Sequence, residues 1–297
     1  MWKPQEETRE HSRGCHWAAF ATEGQKQLNL VTEHAHDISE DDQYLALVLG
    51  RLRPYGQDYH LDHPAQWLLQ QLRRNPGEYY RVIAGFFAIV LLDKRNGSVR
   101  LVSDHVGSVP LYYRVDAQEW WITDCLKLLE PHLPEDATKL DPQALFNYCF
   151  FHCIPSPRVV YQGAGKLQPG EALAIDLSGQ TASSNLYQPN YRVTDASPDA
   201  LMAECRQVIN DAVRRNIAPR SGAFLSGGLD SSTVAGIFAG HQPAAPTFSI
   251  GFEAEGYDET AYARVTAAHF GTQHHEHYLQ PCEIVDNFID VAGFFDE

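Results

Sequence analysis

The sequence is short of basic residues, and that shortage argues against nucleic acid as a partner. Lys and Arg number 23 against 38 Asp and Glu in 297 residues, which gives a formal net charge of -15 at pH 7. Proteins that bind nucleic acid neutralise its phosphates with clustered Lys and Arg. The acidic surplus instead indicates a solvated surface, and with 44% hydrophobic residues the chain is expected to bury a core. The length suits one large domain or two ordinary ones.

Long apolar runs and cysteine pairs are also missing. No stretch of about 18 apolar residues occurs, so we expect no membrane span. The polar N-terminal segment lacks the apolar core of a secretory signal. The absence of any CxxC pair argues against a disulfide framework and favours reduced thiols in a cytoplasmic protein. The six scattered cysteines are Cys15, Cys125, Cys149, Cys153, Cys205 and Cys282.

The first part of the chain has the pattern of a buried antiparallel sheet. Gly85–Asp93 is a nearly continuous apolar run, which is typical of a strand covered on both faces. Asn96 and Gly97 form a hairpin turn signal, and Val99–Asp104 is the expected returning strand. A helix is predicted at Pro64–Arg74, because its apolar residues fall on one side.

A second helix and a change of composition define the predicted domains. Asp141 is a good N-cap, and Pro142 suits the first helical position. The polar, proline-containing stretch before residue 198 indicates a boundary. We therefore predict a loose tail at residues 1–14, a first domain at residues 15–190 and a second domain at residues 197–297.

Strands and helices alternate in the second part, which predicts an α/β domain with a doubly wound parallel sheet. The strands have short apolar or β-branched runs, and the helices have apolar residues at helical spacing. Gly271 is the expected C-cap of the last of these helices. The predicted strands are Gly222–Leu225, Thr247–Phe252 and His274–Leu279, and the predicted helices are Asp199–Asn216, Ser231–Gly240 and Glu259–Phe270.

The segment Ser226–Ser232 (SGGLDSS), between the first of these strands and its helix, has the composition of a phosphate-binding loop. Such a turn directs free backbone N–H groups and the positive end of a helix dipole to the edge of the sheet. Gly227 and Gly228 allow close approach to a phosphate or a positive φ. Asp230 beside phosphates indicates Mg²⁺, which binds through a carboxylate and substrate phosphates. The loop is neither a Walker loop nor a GxGxxG fingerprint.

The same segment resembles the pyrophosphate loop of N-type ATP pyrophosphatases. With Phe224 and Leu225 in front, it resembles the version found in the glutamine-hydrolysing asparagine synthetase family. Further stretches are similar to that family along most of the chain. They are Thr247–Phe252 (its adenine-binding strand), Gly271–Glu276 (its GTxHHE strand entry), Gly85–Asp93 and Asp104–Tyr113 (its glutaminase-type domain) and Ile154–Gly170 (its interdomain linker).

The resemblance implies a fold, a reaction and a set of roles. The fold would be an α+β N-terminal nucleophile-type αββα domain, followed by an adenine-nucleotide α hydrolase-like domain that is incomplete here. A small-molecule or peptide carboxylate would be adenylated by ATP, and ammonia or an amine would then displace AMP. The residues implied for ATP are Ser226, Gly227, Gly228, Ser231 and Ser232 at the pyrophosphate, Asp230 at Mg²⁺, and the backbone of Leu225 and Ile250 at the nucleoside.

The sequence departs from the family at the glutamine site. The family has its nucleophilic Cys after the initiator Met, where this chain has Trp2. The family's Asn-Gly-Glu segment is replaced around Leu49-Gly50-Arg51, and an acidic residue before the GxFA strand is replaced by Ala84. We therefore expect no glutaminase activity. The pattern is similar to β-lactam synthetase and lasso-peptide cyclase relatives, whose amine comes from the substrate itself.

A second departure concerns the family's later motifs. The family's SGxGxDE segment and catalytic lysine do not occur in the sequence, so the catalytic residues are expected beyond Glu297. Three interpretations stay open: a fragment, a subunit completed by a second polypeptide, or a non-catalytic nucleotide-binding remnant.

Overall fold

The computed structural model of the chain describes residues 17–22, 25–32, 37–59, 61–115, 119–252 and 258–292. The predicted tail at residues 1–14 and Trp2 lie outside these ranges. The described residues fall into two compact units, one up to Asn190 and the other spanning Tyr191–Ala292. None of the described helices is long and apolar enough to cross a bilayer.

The first unit is built mainly from antiparallel strands. Its strands are β1 (Trp17–Thr22), β2 (Gln25–Thr32), β3 (Asp37–Glu40), β4 (Tyr44–Pro54), β5 (Ile83–Asp93), β6 (Ser98–Ser103), β7 (Tyr112–Val115), β8 (Glu119–Thr123), β9 (Gly165–Lys166), β10 (Glu171–Ile175) and β11 (Thr181–Asn185), and its helices are α1 (Pro64–Arg74) and α2 (Pro142–Phe151).

These strands form two sheets. One has six strands in the order β11-β10-β6-β5-β4-β3, and the other has five in the order β2-β1-β8-β7-β9. The predicted hairpin is confirmed, since β5 and β6 pair antiparallel across the turn at Gly97, whose φ is +71°. The predicted helix α1 is confirmed at both ends, and the Asp141 carboxylate caps α2 by accepting from the Gln143 N–H at 2.8 Å.

The core of this unit lies between the two sheets. Leu47 and Leu49 from β4, Val90 from β5 and Leu101 from β6 meet Ile122 from β8 in one buried cluster. Alternate residues of the same strands point to the opposite face of the six-stranded sheet, where α1 covers them. Both faces of β5 are therefore buried, which explains its continuous apolar run.

The predicted αββα layering is only partly present in the described residues. Helix α1 forms one outer layer, but the outer face of the five-stranded sheet is covered differently. Tyr112 and Trp121 pack there against Leu126, Leu129 and Val159, which belong to short 3-10 turns and a loop. In the part of the chain that the structure describes, α2 buries only Ala144. The second helical layer of the expected αββα arrangement stays a prediction.

The second unit contains a three-stranded parallel sheet in the order β12-β13-β14. The three predicted strands and the alternation with helices are confirmed. Gly271 caps α5 in the left-handed conformation, as expected, with φ +64°. The elements are α3 (Pro198–Asn216), β12 (Ala223–Phe224), α4 (Leu229–His241), β13 (Pro246–Phe252), α5 (Thr260–Phe270), β14 (Gln273–Leu279) and α6 (Pro281–Ala292).

The doubly wound arrangement is not what the described residues form. Leu225 packs with Ala235 of α4 and with Ala263 and Ala267 of α5, so both crossover helices lie on one face. The strands follow in sequence order, and right-handed crossovers between strands in that order place their helices on the same side. The other face of this sheet is exposed at Phe224, Phe248, Ile250 and Phe252 in the described chain.

Candidate functional site

The segment Ser226–Ser232 leaves the carboxyl edge of the parallel sheet directly after β12. Leu225 anchors it: its side chain is 1% exposed, and its N–H donates to the Phe248 carbonyl at 2.8 Å. The Leu225 carbonyl accepts a hydrogen bond from the Ser249 hydroxyl. Both backbone groups of Leu225, its N–H and its carbonyl, are therefore hydrogen-bonded where the loop begins.

Gly227 is the position of the loop with a left-handed backbone. Its φ is +86°, in the left-handed region that favours glycine. A Cβ atom there would lie 2.5 Å from Tyr262 Cβ and 2.7 Å from the Ala263 backbone nitrogen. Gly227 thus allows both the turn and the close packing of the loop on α5. Gly228 differs, since its φ is −70° and a Cβ would meet only Ser226 Oγ at 3.4 Å.

The loop serines hydrogen-bond to one another and to the loop backbone. Ser231 Oγ lies 3.0 Å from Ser226 Oγ and accepts from the Ser226 N–H at 3.2 Å. Ser226 Oγ in turn accepts from the Gly228 N–H at 3.3 Å. Ser232 lies deeper, with its hydroxyl 3.2 Å from Thr266 Oγ1 on α5. The structure therefore brings the predicted serines into one turn with hydroxyls near the helix start.

Helix α4 begins at Leu229, two residues before the predicted start at Ser231, with Gly228 as N-cap. Its first backbone bond runs from the Ser232 N–H to the Gly228 carbonyl at 3.0 Å. The three preceding amides, of Leu229, Asp230 and Ser231, consequently have no intrahelical acceptor. Free amides and the positive end of the helix dipole together favour an anion at this position.

Asp230 lies in the first turn of α4 and is exposed. Its carboxylate has no hydrogen-bond or ion-pair partner among the described residues. The carboxylate lies within one helical turn of the free amides. A cation bound to it could therefore also contact an anion that the amides hold. Ile250 lies two residues beyond Phe248, the register partner of Phe224, and thus at the same carboxyl edge. Its side chain is 54% exposed on the open face of the sheet.

A polar network beneath the loop was not found from the sequence. The Ser249 hydroxyl that holds Leu225 also lies 3.4 Å from His274 Nε2. His274 Nδ1 lies 2.9 Å from Thr247 Oγ1, and its Nε2 lies 3.3 Å from Glu276 Oε1. The alternation of His274 and Glu276 on β14 was the available signal, because alternate strand residues share a face.

The network continues onto α5 through an ion pair. Arg264 donates to both Glu276 oxygens, with its Nε 2.8 Å from Oε1 and its Nη2 2.7 Å from Oε2. Hydrogen bonds from Arg264 hold the pKa of Glu276 below its ordinary value. Arg264 follows directly after Ala263, whose backbone contacts the loop at Gly227, so the pair fixes α5 where it supports the loop.

Two family models match successive parts of the chain. The family model for asparagine synthase matches residues 204–297, and the model for the glutamine amidotransferase domain matches residues 51–187. The two matches carry the resemblance to asparagine synthetases from residue 51 to residue 297. The SGGLDSS loop lies within the asparagine synthase match.

Relatives in this family share between a quarter and a third of their aligned residues with the chain. Asparagine synthetase [glutamine-hydrolyzing] 1 of Bacillus subtilis is 27% identical over 273 residues, which are 87% of this chain and 42% of that protein. A putative asparagine synthetase of Methanocaldococcus jannaschii is 33% identical over 72% of this chain and 42% of its own length. The chain thus spans less than half the length of these two synthetases.

A third relative has a different product. Carboxyethyl-arginine beta-lactam-synthase of Streptomyces clavuligerus is 25% identical over 294 residues, covering 92% of this chain and 54% of that protein.

The positions where the sequence departs from the family's glutamine-site pattern lie on β4 and β5. Arg51 is paired with Phe86, and Arg53 is paired with Ala84. Gly50 has φ +79°, and a Cβ there would lie 2.3 Å from the Phe86 carbonyl oxygen. On these two strands Arg51 and Ala84 stand where the family pattern has acidic side chains, and Leu49 stands where it has an amide. Trp2 lies outside the described residues.

Proposed function

We propose that the chain binds ATP and Mg²⁺ at Ser226–Ser232 and takes part in AMP-forming amide synthesis. In this reaction a substrate carboxylate attacks the α-phosphate of ATP, and pyrophosphate leaves. Ammonia or an amine then attacks the acyl carbon of the acyl-adenylate and releases AMP. The observation that carries the proposal is the loop, where Gly227 with φ +86° directs the chain into three free helix amides.

The described residues fit a polyphosphate with its metal. The amides of Leu229, Asp230 and Ser231 are donors within one turn, as a phosphate group requires, and the hydroxyls of Ser226 and Ser231, which bond within the loop, lie beside them. Asp230 supplies the anionic oxygen that Mg²⁺ prefers, and it is not engaged by another described residue. Bound there, Mg²⁺ would neutralise charge on the phosphates. The residues of the chain would hold the pyrophosphate end and orient the nucleotide.

The nucleoside is proposed to lie along the carboxyl edge of the sheet. The backbone at Leu225 and Ile250 borders this edge, where β12 and β13 pair in parallel. The Leu225 N–H already donates to Phe248, so its carbonyl, with a second lone pair, is the group left for a ligand.

A second candidate is the same reaction with a different nitrogen donor. In this version the amine that attacks the acyl-adenylate belongs to the substrate itself. The specific observation is the β4–β5 ladder, where Ala84 and Arg51 stand at positions that carry acidic side chains in the family pattern. The similarity to a beta-lactam-synthase over 92% of the chain supports this form. The carboxylate is proposed to belong to a small molecule or a peptide in the cytoplasm.

A matched pair of variants tests the nucleotide site. Asp230 and Asp199 are both exposed acidic residues in the first turn of a helix, but only Asp230 adjoins the loop. We expect D230N to weaken Mg²⁺-dependent ATP binding, measured by calorimetric titration, by a factor of about 10 to 100. This corresponds to losing one charged contact of about 1.5–3 kcal/mol. D199N should bind as the wild type does, and equal weakening in both variants would refute the assignment.

Chemistry is tested separately from binding. Exchange of labelled pyrophosphate into ATP, run with aspartate and then with amino-carboxylates that can close a ring, reports adenylation. Exchange that depends on one carboxylate supports the ligase. ATP binding without exchange for every carboxylate would favour a non-catalytic nucleotide-binding chain, and product formation without ammonia or glutamine would favour the substrate-borne amine.

A further inference from the structure

A layer of polar side chains lies on the face of the parallel sheet that α5 covers. Thr247 and Ser249 of β13 are 0% and 7% exposed, and the side chain of His274 on β14 is 11% exposed. Thr247 and Ser249 share this face because alternate residues of a strand point the same way. Burying polar groups is costly unless they are hydrogen-bonded. The donors and acceptors of this layer must therefore match one another, which fixes the position of each proton.

Glu276 fixes the position of the first proton. Arg264 donates to both carboxylate oxygens of Glu276, and these hydrogen bonds hold the pKa of Glu276 below its ordinary value. An ionised carboxylate can only accept hydrogen bonds. His274 Nε2 lies 3.3 Å from Glu276 Oε1, and a bare nitrogen there would set its lone pair against that of the oxygen. The Nε2 atom of His274 therefore carries a proton.

The other ring nitrogen of His274 is an acceptor. In its neutral form a histidine has one donor and one acceptor nitrogen, so a proton on Nε2 leaves Nδ1 bare. Nδ1 lies 2.9 Å from Thr247 Oγ1, and the Thr247 hydroxyl donates to it. The Thr247 oxygen lies 2.9 Å from Thr272 Oγ1 and accepts from that hydroxyl. One tautomer of His274 thus gives both ring nitrogens a partner.

The Nε2 proton of His274 is also directed at Ser249. The Ser249 hydroxyl donates to the Leu225 carbonyl, which can only accept. Ser249 Oγ lies 3.4 Å from His274 Nε2, so the serine oxygen accepts from the ring. A hydroxyl group rotates unless its neighbours fix it. His274 consequently holds the Ser249 hydroxyl in the orientation that donates to Leu225, where the SGGLDSS loop begins.

We propose that His274 is a positioning residue for the nucleotide, acting through Ser249 on the Leu225 carbonyl. This role rests on the proposed ATP site, because the same carbonyl is the group left for the nucleoside. Leu225 is 1% exposed, so its carbonyl depends on the hydrogen bonds that the fold provides. A Ser249 hydroxyl without its partner on His274 can turn away, and the start of the loop then loses one of its two backbone hydrogen bonds.

Glutamine and asparagine substitutions separate the two ring nitrogens. The amide nitrogen of glutamine can take the place of Nε2 and donate to Ser249, whereas that of asparagine falls near the place of Nδ1. By calorimetric titration of the full chain, we expect H274N to weaken Mg²⁺-dependent ATP binding by about three- to tenfold, and H274Q to stay within about twofold of the wild type. H275Q is the matched control and should bind ATP normally. His275 is the next residue of β14, but it points to the open face and stacks on Phe248.

The tautomer of His274 is tested without any nucleotide. Two-bond ¹H–¹⁵N correlation spectra distinguish a protonated ring nitrogen from a bare one. The signals that disappear in H274Q identify His274 among the 14 histidines of the chain. At mildly alkaline pH we expect a proton on Nε2 and a bare Nδ1. A proton on Nδ1 instead would overturn the proposal, and this result does not require H274N to fold.

The outcomes separate this role from simple packing and from the ATP site itself. Equal ATP affinity in H274N and the wild type would overturn the role of His274 and leave the ATP site standing. Equal weakening in H274N and H274Q would mean that the ring only fills space, which would also overturn the proposal. A wild type that binds no ATP would refute the nucleotide site and this role together. Thermal unfolding verifies that each variant is folded, and D230N should keep the wild-type tautomer of His274.

Discussion

Replacing Gly227 by alanine is the sharpest perturbation of the loop, because the structure separates its role from that of its neighbour. Gly227 has φ +86° and lies against α5, whereas Gly228 has φ −70° and a Cβ there would meet only Ser226 Oγ at 3.4 Å. Both glycines were predicted to allow a positive φ or a close approach to phosphate. The geometry assigns the positive φ to Gly227 alone, and leaves phosphate approach as the reason for Gly228.

The cost of G227A has two parts. An L-residue in the left-handed region costs about 1–2 kcal/mol. The new methyl group would lie 2.5 Å from Tyr262 Cβ and 2.7 Å from the Ala263 nitrogen, and such overpacking against backbone costs about 1–3 kcal/mol. The total of about 2–5 kcal/mol would lower the melting temperature of a domain of this size by about 10 °C or more.

Scanning calorimetry with and without ATP and Mg²⁺ measures the effect. The transition of the second unit is identified as the one that ATP moves, because the two units need not unfold together. G228A should cost at most about 1 kcal/mol as a poorer N-cap, yet it should weaken ATP binding by placing a methyl group on the phosphate side. A G227A protein with wild-type melting and ATP affinity would refute the reasoning from φ and packing.

Two further predictions concern the network beneath the loop. S249A removes the hydroxyl that donates to the Leu225 carbonyl. We therefore expect the free energy of unfolding to fall by about 1 kcal/mol and ATP binding to weaken several-fold. Unchanged ATP affinity would show that Ser249 does not position the loop. R264Q removes the partner that lowers the pKa of Glu276. A lowered folded-state pKa contributes stability that is present above the unfolded value of about 4.3 and is lost as pH falls through the folded value. The free energy of unfolding of the wild type should therefore fall as the pH falls into this range, and that of R264Q should fall less. Acid unfolding curves that run parallel for the two proteins would contradict the assignment.

Local patterns were sufficient for elements that depend on neighbours in the chain. Helix α1 begins and ends where its apolar spacing predicts, and the Asn96-Gly97 turn joins the predicted hairpin. Asp141 caps α2 because capping involves only the next two residues. The SGGLDSS segment was recognisable for the same reason, since a strand, two glycines and a helix start all lie within ten residues.

Layering could not be predicted in the same way. The sequence shows that α4 and α5 are helices, but the side of the sheet they occupy depends on strand order, and the sequential order places both on one face. The position of α2 could not be predicted either, because its apolar residues do not gather on one face, and in the described residues it buries only Ala144.

The sequence by itself determined the phosphate-loop composition, the two-part organisation of strands and helices, and the resemblance to asparagine synthetases. These features depend on residues that are close together in the sequence, so the sequence alone shows them. Only the tertiary structure decided that Gly227 rather than Gly228 has the positive φ, and that Ser249, His274, Glu276 and Arg264 support the loop from β13, β14 and α5. Such contacts join residues far apart in the chain, so their geometry depends on packing that no local pattern encodes.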